Sequence, residues 1–445
     1  MTKPSINTII EQQLCTGCGA CVSESKSQTV KMELNKSGFL IPSLSENEQD
    51  SVNMLRVCPF NPNPEESVAD EDKIAQNFLG KTKHFDTKIG YYNETYIGYS
   101  VNHRISSSSG GIATFIFEKL LREGYVDHLF VVRDVNGSYE YQLFSDLENI
   151  TQISKTRYYP VTLENLFGQI DLIQGKVAIS GVACFLKAVR LKQHYYPGLR
   201  DKIPFLVGII CGGTKSSFFT DYLAQRSGIK GKYRNQEYRI KDKNNLSSDY
   251  SFSAFDEDDN NHVMRMREVG DMWGTGLFKS NACDFCSDVL TEVADISLGD
   301  AWLDEYRQDG LGNSVVITRS TKADLLIKTG IESGELNLKI VPKEAIIKSQ
   351  LPSFTHRQDA IKFRIWLSKI NNNIVPHIRE RVLQNISLPY KIVQLQRRRT
   401  RSKSLKIWEQ NKDAEIFKQE MKSDLELLKN LTKIYHKFRK VFLSL

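Results

Sequence analysis

Residues 176–196 read KVAISGVACFLKAVRLKQHYY. A short apolar run of β-type residues gives way at once to a longer stretch with helical patterning, and Cys184 stands at the junction. The same alternation recurs on both sides. The helix-like GIATFIFEKLLREG (111–124) precedes DHLFVV (127–132), and IPFLVGIIC (203–211) precedes SSFFTDYLAQRSG (216–228). Further on, ADISLGD (294–300) and NSVVITRS (313–320) precede KADLLIKTGIESG (322–334). Short apolar strands alternating with helices predict an α/β domain with a largely parallel or mixed sheet over residues 95–355. Flanking it, residues 1–62 are turn-rich and end at CPFNPNPEES (58–67), so 63–94 is expected to be a linker. Residues 356–445 read as a basic, helical, peripheral extension, making the chain α+β overall.

The chain has 445 residues, 40% hydrophobic and 25% charged, enough for two or three domains with a large core. Its start, MTKPSINTIIEQQ, lacks the features of a signal peptide, and no apolar run has the length a bilayer requires; a cytoplasmic protein is expected. The net charge of +7 is concentrated in the tail, where residues 391–445 carry 15 Lys and Arg against 6 Asp and Glu. The bland reading of that tail is a solvated helix. Because apolar residues recur among its lysines, peripheral contact with an anionic membrane surface or an acidic partner is the alternative. No recognisable nucleic-acid motif accompanies the charge, so nucleic acid is not an expected partner.

The eight cysteines argue for metal or redox chemistry, because a reducing compartment disfavours disulfides. Cys15, Cys18 and Cys21 lie in CTGCGAC (15–21), where three thiolates on a glycine-containing turn can grip one face of a metal group. The two-cluster ferredoxin pattern C-x2-C-x2-C-x3-C-P, used twice, has the fourth cysteine of each run serve the other cluster. Here one cluster's positions hold Cys15, Cys18, Cys21 and Cys58, with Pro59 following. The other cluster's positions hold Ser25, Glu48, Ser51 and Met54. The losses sort cleanly, predicting a ferredoxin-like domain that retains one [4Fe-4S] cluster. Zinc, which four thiolates also bind, is the alternative. The remaining four are Cys184, Cys211, Cys283 and Cys286. Cys184 and Cys211 each follow a strand, at the carboxyl edge of the sheet, and the CDFC loop can close on them. Spacing alone leaves equal room for buried structural cysteines.

The stretch NHRISSSSGG (102–111) supplies Ser106–Ser109 as candidate helix caps, and Gly110 and Gly111 allow close backbone approach. A helix start of this kind suits a cofactor phosphate, although such motifs are mostly plain caps. Lys155 and Arg157, in SKTRYYPV (154–161), can pair with phosphate or with a reduced flavin, or be surface charges.

Taken in order, SSSSGG, GYVDHLFVV, KVAISGVACF, VGIICGG, CDFCSDVLTEVADISLGDAW and GNSVVITR resemble the coenzyme F420 hydrogenase/dehydrogenase beta-subunit family, a relative of which is 7-hydroxymethyl chlorophyll a reductase. The resemblance spans roughly residues 10–355. It implies FAD and [4Fe-4S] clusters, with Cys184, Cys211, Cys283 and Cys286 as cluster ligands. It also places Ser109, Gly110 and Gly111 at the FAD-associated turn and Lys155 in the family's SKY-like motif. The chain departs from the family at Gly181–Phe185, where G-T-P-C-Q is usual, and at Cys211–Gly213, where C-H-G is usual; substrate and direction of electron flow are therefore open. Asp295, Asp300 and Trp302 are read as strand-end and packing residues.

The function implied is an iron–sulfur flavoprotein oxidoreductase, in which clusters carry single electrons and a flavin exchanges a hydride equivalent. A ferredoxin-type donor, two [4Fe-4S] clusters, FAD and an organic acceptor complete it. Single-chain, ferredoxin-fused members of the family also occur in bacterial surface-polysaccharide gene clusters, which extends the acceptor class from small molecules to lipid-linked ones. The competing readings are an electron-transfer subunit without its own substrate and a zinc-stabilised, non-redox protein of polysaccharide assembly.

Overall fold

A computed structural model describes residues 4–25, 30–44, 51–135 and 137–442. The alternation read in the sequence builds one eight-stranded mixed sheet. Its strands are β1 (Glu94–Ser100), β2 (His128–Val135), β3 (Ser138–Phe144), β4 (Val177–Gly181), β5 (Phe205–Ile209), β6 (Ile296–Asp300), β7 (Ser314–Thr318) and β8 (Leu336–Ile340). They lie in the order β8-β1-β7-β6-β5-β4-β2-β3. The central strands β2, β4, β5 and β6 are parallel, and antiparallel neighbours complete both edges. Covered on both faces, the central strands read as nearly unbroken apolar runs.

Adjacent residues point to opposite layers. Ala178, Phe205 and Val207 meet Phe115, Ile116 and Leu120 of helix α1 (Ile112–Arg122) and Leu326 and Ile327 of another helix, Thr321–Glu332. Ile179 and Leu206 meet Leu186 and Val189 of helix α2 (Ala183–Tyr195), the helix predicted after KVAIS. Each such fully buried side chain contributes roughly 1.5–3 kcal/mol, which makes this the stable frame on which the site is mounted.

A second antiparallel sheet, Arg234–Ile240, Ser251–Phe255 and Asn261–Arg265, covers helix α3 (Phe218–Arg226). At the N-terminus, Ser5 caps helix Ile6–Glu11, followed by the hairpin Lys31–Leu34 and Leu40–Ser43 and by helix Ser51–Arg56. This unit docks on the large sheet through Leu163 N–H donating to Cys18 O (2.9 Å) and through Glu24, which pairs with Lys192.

Two sequence expectations need correction. The stretch 63–94, expected as a linker, carries helix Glu71–Phe78, capped by Asp70, and the hairpin His84–Asp86 and Gly90–Tyr92. Glu71 is buried there against Lys187 (3.1 Å). Burial opposes its charge, but Lys187 and Arg379 outweigh that and pull its pKa down to about 2. Proline-rich composition at 59–64 misled because buried ion pairs, invisible in composition, tie the segment down. The C-terminal extension is likewise not peripheral along its length. Helices α4 (Leu388–Asn411) and α5 (Ala414–Phe442) form an antiparallel pair. Trp408, Phe417 and Met421 of this pair insert among Tyr222 and Phe278, and Arg401 is buried beside Asp284. Among the described residues, no helix is long and apolar enough to cross a membrane.

Candidate iron–sulfur and flavin site

The eight cysteines fall into two neighbouring groups. In the first, the CTGCGAC turn requires positive φ at Gly17 (79°) and Gly19 (75°), and a Cβ on Gly19 would stand 2.0 Å from Thr162 Oγ1. Cys15, Cys18 and Cys21 are thereby presented on one side of the turn, and Cys58 comes close enough to interact electrostatically with all three. Backbone amides of Gly17, Ala20 and Phe60 hydrogen-bond Cys15, Cys18 and Cys58. Burial pushes all four thiols upward, Cys15 to about 12, so as free thiols they are protonated and a bound cation must displace those protons. Met54, at a position where a second ferredoxin cluster would need cysteine, is fully buried among Ile6, Ile9, Cys21 and Cys58. Glu48 and Lys26 lie outside the described residues, as does the Ser51 side chain.

The second group follows from the sheet. β4 and β5 are adjacent and parallel, so Cys184 in the first turn of α2 and Cys211 just past β5 emerge at the same carboxyl edge. Cys283 and Cys286, in a short 3₁₀ turn (Asn281–Phe285) capped by Ser280, close on them. All four line one cavity, which Thr16 and Phe60 from the first group also border. Gly213 N–H donates to Cys211 Sγ (3.2 Å) and Thr214 N–H to Cys283 Sγ (3.1 Å). The Arg357 guanidinium donates to Cys286 Sγ (2.6 Å). Burial raises Cys184 and Cys286 and brings Cys211 to about 11. Cys184 also senses Cys18, and Cys15, Cys21, Cys58, Cys184 and Cys286 share one apolar cluster with Phe60 and Phe285.

Fit to a metal group can be judged from the donors. A single tetrahedral ion needs its sulfurs about 2.3 Å from one point. Among the described residues, no three or more Cys, His, Asp or Glu side chains are drawn together as for one ion. Four sulfurs around a cavity, with amides and a guanidinium aimed at them, instead suit a polynuclear cluster.

At the other end of the carboxyl edge, Ser106–Ser109 do not cap α1. Gly111, at φ 79°, occupies the cap position without a side-chain bond. The serines turn elsewhere: Ser107 Oγ meets Thr114 Oγ1 (3.2 Å), and Ser108 Oγ accepts from Thr156 N–H (2.9 Å). The glycine pair has a packing cause, since a Cβ on Gly110 would lie 2.7 Å from Gly98 O and one on Gly111 2.6 Å from His103 C. Ser108 and Thr114 nevertheless bring SSSSGG and the Ser154–Thr156 segment together.

Around this turn the structure adds Lys241 and Arg239, which the sequence did not reveal, to Lys155, which it did. Lys241 donates to Ser109 O (2.9 Å) and to Arg104 O, and Lys155 pairs with Glu237 (2.5 Å). Arg239 forks onto Asp300 (2.5 and 2.8 Å) and lies over Trp302, ring centroid 5.5 Å away. Burial, then Arg104, Lys155 and Arg239, push Lys241 down to about 7. Arg157 stands apart, over the Tyr139 ring (5.1 Å). Asp295 is the structural residue expected, paired with buried Arg190 (3.0 Å), whereas Asp300 and the half-exposed Trp302 face the cationic pocket. Arg239 sits on a strand of the second sheet and Lys241 directly after it, where nothing local in sequence marks them; the positive φ of Arg239 (57°) is a tertiary effect.

The cysteine cavity and the cationic pocket are joined by aromatics. A side chain at Gly212 would meet the Trp273 ring at 3.1 Å, Trp273 packs on Tyr158 (4.8 Å), and Tyr158 adjoins Arg239.

Comparison with known proteins agrees with this architecture. Two family profiles of coenzyme F420 hydrogenase/dehydrogenase match the chain, the one for the N-terminal part of the beta subunit over residues 95–167 and the one for its C-terminal part over 174–344. A component of the F(420)H(2) dehydrogenase of Methanosarcina mazei is 21% identical over 330 residues, 69% of this chain and 83% of the relative. The beta subunit of the coenzyme F420 hydrogenase of Methanosarcina barkeri is 25% identical over 289 residues, 60% of this chain and 92% of the relative. A chain in the solved F420-reducing [NiFe] hydrogenase complex of Methanosarcina barkeri has the same fold, with a TM-score of 0.50 and 20% identity over 66% of this chain and 99% of that one. With more than half of its residues matched by these two profiles and the sheet order described above, the chain belongs to the coenzyme F420 hydrogenase/dehydrogenase beta-subunit family.

Proposed function

We propose that this chain is an iron–sulfur flavoprotein oxidoreductase that takes electrons from a ferredoxin-type donor and delivers them to an organic acceptor, small or lipid-linked. The observation that carries this reading is the sorting of all eight cysteines into two abutting sets of four, with the cations Lys155, Arg239 and Lys241 gathered beyond the second. In this reading Cys15, Cys18, Cys21 and Cys58 hold one [4Fe-4S] cluster, and Cys184, Cys211, Cys283 and Cys286 hold the other. FAD lies against Ser109, Gly110 and Gly111. When bound, these groups supply the exchange between one-electron and hydride chemistry.

The residues of the chain have separable tasks. Amide and guanidinium donors aimed at the sulfurs stabilise thiolate charge. Lys241, Lys155 and Arg239 provide the positive field that a flavin phosphate or an anionic reduced ring calls for. Arg157, held over Tyr139, supports that field from a distance. Trp302, half-exposed beside Arg239, offers a flat face for a planar ring.

The relay reading, in which the chain hands electrons to another subunit and has no substrate of its own, is favoured by one finding: the structural relative is part of a hydrogenase complex. Among the described residues, the zinc reading lacks a tight single-ion ligand set. Anaerobic purification of the full chain separates the three. Iron and sulfide near eight per chain with a heat-releasable flavin supports the enzyme, the same iron without flavin supports the relay, and zinc without visible absorbance sinks both. Cys58→Ser should remove about half of the iron and leave the flavin; unchanged iron would refute the ferredoxin-like assignment.

A further inference from the structure

Arg357 lies outside both family-matched segments, in the π-helical turn Thr355–Asp359 of the extension that the sequence marked only as basic. The residue is 6% exposed. Nη1 donates to Cys211 O (2.7 Å), Nε to Cys286 O (3.2 Å), and Nη2 to Cys286 Sγ (2.6 Å) and Asp288 O. Among the described residues, no carboxylate lies within ion-pair distance of it. Two neighbouring buried cations, Lys279 and Arg401, by contrast pair with Asp284, at 3.2 and 3.5 Å. A buried guanidinium with no carboxylate in ion-pair contact is costly unless an anion faces it, and the nearest to Arg357 are the sulfurs of the second cysteine set, with Asp288 acting from further off.

A guanidinium keeps its charge even when buried. Its own place is also fixed, since Arg364 donates to Arg357 O (3.3 Å), to His356 O (2.6 Å) and to Asp284 O (2.6 Å). The charge therefore cannot swing away to solvent.

We propose that Arg357 sets the reduction potential of the cluster held by Cys184, Cys211, Cys283 and Cys286. The inference rests on the iron–sulfur reading above. A four-thiolate cube is anionic in both oxidation states and more so after taking up one electron, so a fixed cation bonded to a ligand sulfur stabilises the reduced form more and raises the potential. Arg357 is a positioning residue, acting through Cys286 and not on the acceptor.

The test is an electron-paramagnetic-resonance redox titration of the full chain, with iron and sulfide assayed on the same samples, for wild type, Arg357→Gln and Arg357→Lys. At the ambient potential that half-reduces this cluster in wild type, Arg357→Gln should lower the ratio of reduced to oxidised cluster about tenfold, a fall of about 59 mV for a one-electron couple. Arg357→Lys, which keeps the charge, should recover part of the shift, with iron content and the other cluster's signal unchanged. Unchanged potentials with iron retained would overturn the proposal. Loss of half of the iron in both variants would also overturn it, by making Arg357 a strut. Wild-type chain without iron would instead remove the iron–sulfur reading on which it stands.

Discussion

Lys241 shows how a single side chain couples the cationic pocket to pH. Its ammonium is pushed down to about 7 by burial and by Arg104, Lys155 and Arg239, while it donates to Ser109 O on the proposed flavin turn. Below pH 7 it is mostly charged and above it mostly neutral. An anion bound in the pocket favours the charged form, so flavin affinity should fall as pH rises through 7, by up to about tenfold per unit for one coupled proton. In the ligand-free chain the sign for stability is the reverse. Between pH 7 and the unfolded value near 10.4 the unfolded chain binds more protons, and folding strengthens as pH rises. Lys241→Gln should flatten the affinity profile in this window, read by fluorescence of released flavin across pH 6–9; a profile as steep as wild type would show that Lys241 does not face the bound anion.

At the scale of elements, the α/β alternation was legible because each strand and helix carries its own periodicity: β4 and α2 fall where KVAIS and CFLKAVRLKQHYY place them. The convergence of Cys184 and Cys211 was also legible, since residues following adjacent parallel strands must share an edge. The docking of α4 and α5 was not. Sequence shows the lysines of α5 and the arginines of α4 as charge, but which face is buried depends on the distant partners Tyr222 and Phe278. Arg401 counts toward the tail's basicity and is nevertheless buried against Asp284. Trp408 is the joint of this contact, with ring centroids 5.7 Å from both Tyr222 and Phe278 and 5.8 Å from Phe417. Trp408→Ala should cost roughly 3–5 kcal/mol in urea unfolding followed by circular dichroism. A cost under about 1 kcal/mol would mean that the helical pair folds independently of the sheet.

Across the whole molecule, the two cysteine sets depend on different parts of the chain. The first is secured from within residues 4–58 and by its dock on the large domain, where Leu163 holds Cys18 O and Lys192 holds Glu24. The second relies on the extension. Ser404 Oγ accepts from Phe278 N–H (3.0 Å), and Arg401 pairs with Asp284 between Cys283 and Cys286. Cutting the chain after residue 387 removes both ties, uncovers Phe278 and leaves Asp284 of the CDFC loop to Lys279 and His356. The truncated chain should keep the iron of the first set and lose most of that of the second, giving about half the wild-type iron and a single paramagnetic signal on reduction. The full-length variant Arg401→Met, which retains the helical pair and its apolar contacts, isolates the charge: it should loosen the second set alone, seen as faster loss of iron to a chelator. If the truncated chain retained all of its iron, the extension would be an appendage to the redox domain, and its buried arginines would owe their place to folding alone. Partial loss on truncation with no change in Arg401→Met would assign the support to packing through Phe278 and leave the Asp284 pair without a share in it.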